Sequence, residues 1–251
     1  MKITASKLIR WAGLSAVAGG FLFVGIQPIH PPEMLSSFTT STWAIVHYVG
    51  VAMCFLILLG ITGIYARQVE ESGWLGLAGF LLFGLMWALT AAFQFAEGLI
   101  VPLLATDVPR FALGFEGISS GSPSEVSLGI LPAVYSLTSV LYLLGGVVFG
   151  IATFRAGILP RWAGGGLAVG TVAPLVLSLL LPHEFIRLAA VPVGLALALL
   201  GYALWSERRE KSSEPVSRRS TPQETNIPIT QPTTVPMPDA AAMVRIGPWS
   251  N

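Results

Sequence analysis

Charged residues are scarce in this chain of 251 residues, and their scarcity excludes most soluble architectures. Asp, Glu, Lys and Arg make up 11% of the sequence, whereas soluble domains carry about 25%. The formal net charge of +1 provides no strongly basic surface, so no nucleic-acid partner is expected. The only cysteine is Cys54, which excludes an intramolecular disulfide and any metal site built on paired cysteines.

Long apolar runs take the place of the missing charge. The mean hydropathy is +0.73, and apolar residues make up 53% of the chain. A transmembrane helix needs about 20 apolar residues to cross about 30 Å of hydrocarbon. Six runs have this length: residues 9–28, 43–66, 74–104, 130–154, 162–181 and 185–205. The sequence therefore predicts an all-α fold, a polytopic bundle of six transmembrane helices over residues 1–206.

The two ends of the chain are predicted to behave differently. The first run follows the basic residues Lys2, Lys7 and Arg10 but lacks a small-residue cleavage site, so we expect it to be retained as a span. Residues 207–251 begin with a charged stretch and continue with Pro, Thr and Ser. Such a composition buries too little apolar surface to offset the entropy of ordering, and it predicts a disordered cytoplasmic tail.

Basic residues beside the apolar runs predict the orientation, because cytoplasmic loops retain Lys and Arg. With the N-terminus inside, the outer side holds only Arg110 and Arg187. The inner side then holds Lys2, Lys7, Arg10, Arg67, Arg155, Arg161, Arg208, Arg209 and Lys211. The prediction is a multi-pass protein of the plasma membrane with both termini in the cytoplasm.

Similar helix starts suggest an internal repeat. The tetrapeptide Arg-Trp-Ala-Gly occurs at residues 10–13 and 161–164, and Trp-Leu-Gly occurs at 74–76. One interpretation is three helical hairpins in parallel orientation. The other is convergence, because Trp and Arg both favour membrane boundaries. Small residues spaced by four also predict faces where helices approach closely; they are Ala12, Ala16 and Gly20; Ala88, Ala92 and Ala96; Gly146 and Gly150; Gly166 and Gly170; and Gly194 and Ala198.

Polar side chains within the apolar runs are the candidates for function, because ionisable groups at membrane depth are costly. In the third run, spacings of four and three residues place Thr90, Gln94 and Glu97 on one helix face. In the predicted orientation, most of the polar side chains of the second, third and fourth runs lie in the outer half of the membrane. They predict an outward-facing pocket between these three spans, lined by His47, Thr90, Gln94, Glu97, Tyr135 and Ser139.

The histidines raise the question of a metal site. All three lie on the same predicted side of the membrane as Glu97, which makes His30, His47, Glu97 and His183 weak candidates for metal ligands. Histidine also relays protons near neutral pH. The structural alternative is that His30 and His183 lie at the water boundary and that His47 bonds to a neighbouring helix. No cofactor is predicted.

The motifs at residues 10–13 and 159–164, together with the arrangement of the runs, resemble small six-helix membrane proteins of bacteria. Several such proteins begin a late helix with a phrase similar to Ile-Leu-Pro-Arg-Trp-Ala-Gly, found here at 158–164. The resemblance covers residues 5–206. It implies a six-helix bundle in the plasma membrane, and it implies no catalytic residues, because these families have no assigned activity.

Three functional classes follow from the sequence. The leading hypothesis is a non-enzymatic integral membrane protein whose surroundings are the lipid bilayer. It would bind a small or lipid-like ligand, or a membrane partner, in the outward-facing pocket, and it could act as a homo-oligomer. The first alternative is a membrane-embedded enzyme with a His/Glu metal site on the outer side. The second alternative is a small transporter.

Overall fold

A computed structural model describes residues 3–180 and 187–213, with side chains as far as residue 206. The described residues fall in one compact unit, Met1–Glu214, and a second unit, Pro215–Asn251, lies outside them. Every regular element of the described residues is helical, which confirms the all-α prediction. Most of the predicted disordered tail, and the metal candidate His183, lie outside the described residues.

The described residues form eight α-helices. They are α1 (Ala5–Gly25), α2 (Leu35–Phe38), α3 (Ser41–Phe95), α4 (Val101–Asp107), α5 (Pro109–Ser120), α6 (Leu131–Ala156), α7 (Arg161–Leu180) and α8 (Ala190–Ser213). Two 3₁₀ turns, Gln27–Ile29 and Arg187–Ala189, and one π-helical turn, Ala96–Ile100, complete the order. The last helix continues past residue 206, where the sequence analysis ends the membrane domain.

Within the described residues, five helical segments are long and apolar enough to cross a membrane, so the chain is a membrane protein. They are Ala5–Ile29, Ser41–Asp107, Leu131–Ala156, Arg161–Leu180 and Arg187–Ser206. Local sequence explains where they begin and end. The Thr40 hydroxyl accepts a hydrogen bond from the Trp43 N–H at 3.2 Å, which caps α3. Gly157, with φ of +65°, ends α6.

Helix α3 is a hairpin of two helical arms. Its backbone leaves the helical conformation at Gln68 and at Gly73, where φ is +53° and ψ is −147°. The first arm (residues 41–67) and the second arm (74–95) run antiparallel. Near the turn between them, Tyr65 of the first arm stacks on Phe80 of the second, with ring centroids 4.7 Å apart. The Gln68 amide donates to the Thr153 hydroxyl at 2.7 Å, and this buried bond ties the hairpin turn to α6.

The helices pack in a closed ring. Helix α1 contacts α3 and α8, α3 contacts α6, α6 contacts α7, and α7 contacts α8. Small residues form these contacts, as the four-residue spacing predicts: a Cβ built on Gly60 would lie 2.6 Å from the Cβ of Ala16. The prediction is wrong for Ala88 and Ala92, which are exposed. The second arm instead buries Phe83 and its aromatic and apolar neighbours against the bundle.

One end of the bundle is covered by additional helix. The sequence suggests a plain connector or a flexible cap over residues 105–129, but residues 109–120 form α5, which buries Ala112, Phe115 and Glu116. A second apolar core lies beneath it, made of Phe38, Trp43, Val101, Ala105, Ala112 and Phe115. This end, which also contains residues 27–40, is called the capped end below. The opposite end contains the α3 hairpin turn and residues 156–161.

Candidate functional site

The π-helical turn at the capped end leaves one backbone carbonyl without a donor from its own helix. The Val101 N–H donates to the Ala96 carbonyl, five residues back. The same pattern would require an N–H at residue 102 for the Glu97 carbonyl, and Pro102 has none. The Trp43 indole N–H fills this place and donates to the Glu97 carbonyl at 2.7 Å. Because Pro102 has no N–H, the Glu97 carbonyl accepts its hydrogen bond from the Trp43 side chain of the first arm.

His47 lies one turn beyond Trp43 and faces the same π-helical turn. Its Nδ1 lies 2.7 Å from the Trp43 carbonyl, which can only accept, so Nδ1 carries a hydrogen. Its Nε2 lies 3.3 Å from Glu97 Oε2, with side-chain exposures of 1% and 17%. A proton on either of these two atoms would complete a hydrogen bond between the side chains. Gly98 permits this approach, because a Cβ there would lie 3.0 Å from the Cβ of His47.

Gln94 completes the contact from the second arm. Its amide nitrogen donates to Glu97 Oε2 at 3.1 Å. Its carbonyl oxygen Oε1 is buried and has no hydrogen-bond partner among the described residues. The absence of a side chain at Gly50 leaves the space that the Gln94 side chain occupies. A hydrogen-bond acceptor is thus left unsatisfied beside Glu97.

An ion pair ties α5 to the segments around it. Arg187 Nη2 donates to Glu33 Oε1 at 2.9 Å, with both side chains mostly buried. The Ser119 hydroxyl donates to Glu33 Oε2 at 2.8 Å. Glu33 therefore connects α5 to the 3₁₀ turn that precedes α8.

Glu116 differs from Glu33 and Glu97 because it has no basic partner among the described residues. It is 6% exposed, and its Oε1 is buried without a hydrogen-bond partner among the described residues. Burial, with the charges of Glu97 and Glu33 adding to it, raises the pKa of the Glu116 carboxyl from 4.5 to about 9. The group is therefore protonated at neutral pH.

These groups line one cavity of about 610 Å³. All six residues predicted to line the pocket face it: His47, Thr90, Gln94, Glu97, Tyr135 and Ser139. The cavity is also broader than the predicted pocket, because side chains of α1, α5 and α7 contribute to it. The Tyr135 ring packs edge-on against Phe93, with centroids 5.4 Å apart, and the Ser139 hydroxyl donates to the Tyr135 carbonyl at 3.2 Å.

A second cavity of about 490 Å³ adjoins the first. The two share the lining residues Thr90, Gln94, Glu97, Tyr135, Ser139 and Pro174. Beyond these, the second cavity is mostly apolar and extends between the second arm, α6 and α7, where Met86, Leu143 and Leu175 face it. A polar space thus leads directly into an apolar one.

The metal candidates among the described residues, His30, His47 and Glu97, form no set of three ligands. No group of three or more His, Cys, Asp or Glu side chains suited to a metal occurs in the part of the chain that the structure describes. His30 lies near His47, with ring centroids 5.2 Å apart, but its Nδ1 lies 2.8 Å from the Pro31 carbonyl. Burial and the nearby Arg187 lower the pKa of His30 to about 4. His47 and Glu97 alone would supply two ligands.

Four further residues line the site that the polar pattern inside the apolar runs does not predict: Glu33, Glu116, Ser119 and Arg187. All four lie outside the apolar runs or at a run's end. One signal was available. Residues 109–120 place Ala112, Phe115, Glu116 and Ser119 at helical spacing, which would have predicted an amphipathic helix with a carboxyl on its buried side.

Comparisons of the chain with protein-family models, with curated proteins and with solved structures find no match.

Proposed function

We propose that the chain crosses the membrane six times, with the capped end outside and both termini in the cytoplasm. The antiparallel arms of α3 support two crossings within the segment Ser41–Asp107. The distribution of charge supports the orientation: Arg67 and Arg161 lie at the end opposite the capped end, with Lys7, Arg10 and Arg155. The proposed membrane is the plasma membrane, and the proposed ancestry is three parallel helical hairpins.

Labelling of introduced cysteines tests this topology. The natural Cys54 is buried, whereas Glu71 and Ser122 are exposed at opposite ends of the bundle. A membrane-impermeant maleimide applied to intact cells should label Ser122→Cys and leave Glu71→Cys unlabelled until the membrane is opened. Labelling of Glu71→Cys in intact cells would contradict the proposed orientation.

Within this topology, the protein binds an amphiphilic small molecule rather than catalysing a reaction. The observation that carries this proposal is the continuity of the two cavities through their six shared lining residues. The polar end of the ligand would enter the cavity at the capped end, and its apolar part would lie between the second arm, α6 and α7. A volume of about 610 Å³ for the polar part lies within the range of about 300–1,000 Å³ typical of ligand sites.

Two serines of α6 provide a matched pair for testing ligand binding. Ser139 and Ser136 are both exposed, and each hydroxyl donates to the carbonyl four residues back. Ser139 lines both cavities, whereas Ser136 lines neither. A Trp at residue 139 would obstruct the junction between the cavities, and a Trp at residue 136 would not.

The experiment uses photoreactive dodecyl probes that carry a diazirine in the chain and an alcohol, carboxylate or amine head group. At least one probe should label the second arm, α6 or α7 in the wild-type protein in phosphatidylcholine nanodiscs. Ser139→Trp should abolish this labelling, and Ser136→Trp should preserve it. The proposal fails if no probe labels these helices, or if both variants label as the wild type does.

A further inference from the structure

One carboxyl group that lines the polar cavity has no hydrogen-bond partner among the described residues. Glu116 lines the cavity and is 6% exposed, and its Oε1 is buried without a partner there. A buried acceptor without a donor costs about 1–3 kcal/mol. A ligand group that carries a donor and lies beside this carboxyl would remove that cost.

Several nearby donors are already engaged. Arg187 donates to Glu33, the Gln94 amide donates to Glu97, and the Trp43 indole donates to the Glu97 carbonyl. These bonds leave the Glu116 carboxyl without a donor. A ligand that satisfies this carboxyl needs at least one N–H or O–H group on its polar head.

The charges of the cavity favour a cationic head group. Its carboxyl groups are Glu33, Glu97 and Glu116. Glu33 pairs with Arg187, and Glu97 lies against His47. Glu116 is left without a basic partner, and its negative charge becomes favourable once a cation lies beside it.

We propose that the polar end of the ligand is a protonated primary amine that donates an N–H group to the Glu116 carboxyl, with its apolar tail in the adjoining cavity. This inference rests on the proposed binding of an amphiphile. An ammonium group carries three donors and no acceptor, which suits a carboxyl without a basic partner. When it binds, the Glu116 carboxyl gives its proton to solvent and becomes the counter-ion of the ammonium.

The groups that face Glu116 determine how binding depends on pH. The charges of Glu97 and Glu33 disfavour the ionised form of Glu116. Arg187 lies on the far side of Glu33, with which it forms an ion pair, and His30 and His47 line the same cavity. Because the pKa of Glu116 is raised to about 9 in the empty protein, binding of an ammonium at neutral pH releases about one proton. Affinity for the amine should therefore increase as pH rises from neutral towards that pKa.

Four octyl compounds separate charge from donor number. Octylamine has both, octyltrimethylammonium has charge without donors, octyl glucoside has donors without charge, and octanoate has the opposite charge. Binding is measured by equilibrium dialysis against the full chain in phosphatidylcholine nanodiscs, with empty nanodiscs subtracted. Octylamine should bind more tightly than the other three by about tenfold to hundredfold, the ratio that a hydrogen bond to a charged group supplies.

Two glutamate variants provide the matched comparison. Glu116→Gln keeps the shape of the side chain and should weaken octylamine binding about tenfold or more, while leaving octyl glucoside unaffected. Glu125→Gln is the control, because Glu125 is exposed, pairs with Arg110 and lies outside this cavity. Calorimetry of octylamine binding in two buffers of different ionisation enthalpy should show proton release that Glu116→Gln abolishes. Unfolding temperatures of both variants serve to exclude misfolding as the cause.

The outcomes separate this inference from the proposed function. If octyl glucoside or octanoate binds as tightly as octylamine, the amine assignment is overturned and amphiphile binding stands. If octyltrimethylammonium binds equally well, charge alone accounts for binding and the donor argument is wrong. If no probe binds above empty nanodiscs, the proposed function fails, and this inference fails with it.

Discussion

Nε2 of His47 and Oε2 of Glu97 lie 3.3 Å apart, and their contact joins the first turns of α3 to the π-helical turn that ends its second arm. The residues are 50 positions apart in the sequence, and the antiparallel arms bring them together. Since His47 Nδ1 is fixed on the Trp43 carbonyl, the imidazole presents only Nε2 to the carboxyl. The contact therefore depends on the positions of three groups rather than on two flexible side chains.

Glu97→Gln should be tolerated, whereas Glu97→Leu should not. The glutamine amide can donate to a neutral His47 Nε2, but leucine leaves that buried nitrogen without a partner, at a cost of about 1–3 kcal/mol. Chemical unfolding of the two variants in detergent measures the difference. A double-mutant cycle with His47→Leu should give a coupling energy of about 0.5–3 kcal/mol. Additive effects of the two substitutions would show that the contact contributes no stability.

Trp43→Phe should destabilise the protein, and Pro102→Ala should reduce that effect. The phenylalanine ring preserves packing beside Phe38 but leaves the Glu97 carbonyl without its donor, at a cost of about 1–3 kcal/mol. An alanine at residue 102 supplies the backbone N–H that proline lacks, so it can satisfy the carbonyl within the helix. The control is Trp74→Phe, since Trp74 is 86% exposed. If Trp43→Phe lowers stability equally in the natural protein and in Pro102→Ala, this explanation of the exposed Glu97 carbonyl is contradicted.

The sequence predicts the membrane helices well because their signal is local and strong. Five helical segments of the described residues correspond to the apolar runs, and the second and third runs share one of them. The predicted pocket residues of the second, third and fourth runs line one cavity, because helical spacing places Thr90, Gln94 and Glu97 on one side. The failure at Ala88 and Ala92 has a physical reason. Small-residue spacing shows where close packing is permitted, but the bulky residues on the other face of the second arm determine which face is buried.

Helix α5 and its Glu116 carboxyl are less predictable from the sequence than the membrane helices are. Helix α5 follows α4 after one residue and precedes a stretch that contains glycine and serine, and its burial depends on a core formed with α2, α3 and α4. The partners of Glu33 lie 86 and 154 residues away in the sequence. Hydrophobic periodicity carries no information about such distant pairs, so the contacts of Glu33 emerge only from the folded arrangement.

Glu116→Gln should make stability less dependent on pH. The pKa of this carboxyl is about 9 in the folded protein and 4.5 when solvated. Protonation therefore favours folding: its contribution is fully present below about pH 4.5 and is lost as pH rises through about 9. Unfolding temperatures measured between about pH 5 and about pH 9 should fall for the wild type and fall less for the variant. Glu125→Gln should follow the wild type. The same slope in all three proteins would contradict a buried, protonated Glu116.

Gly73→Ala should destabilise the α3 hairpin by about 1–3 kcal/mol, because its φ of +53° and ψ of −147° lie in a region that essentially only glycine adopts. Steric crowding does not contribute, since a Cβ at this position would meet nothing within 4 Å. Gly25 gives a matched control. It has equally open space but lies in the last turn of α1 with a negative φ. Gly25→Ala should be neutral or stabilising by about 0.4–1 kcal/mol, and chemical unfolding of both variants in one detergent measures the contrast. If Gly73→Ala is as stable as Gly25→Ala, the chain can reverse between the two arms without a glycine, and the hairpin turn is not fixed by this residue.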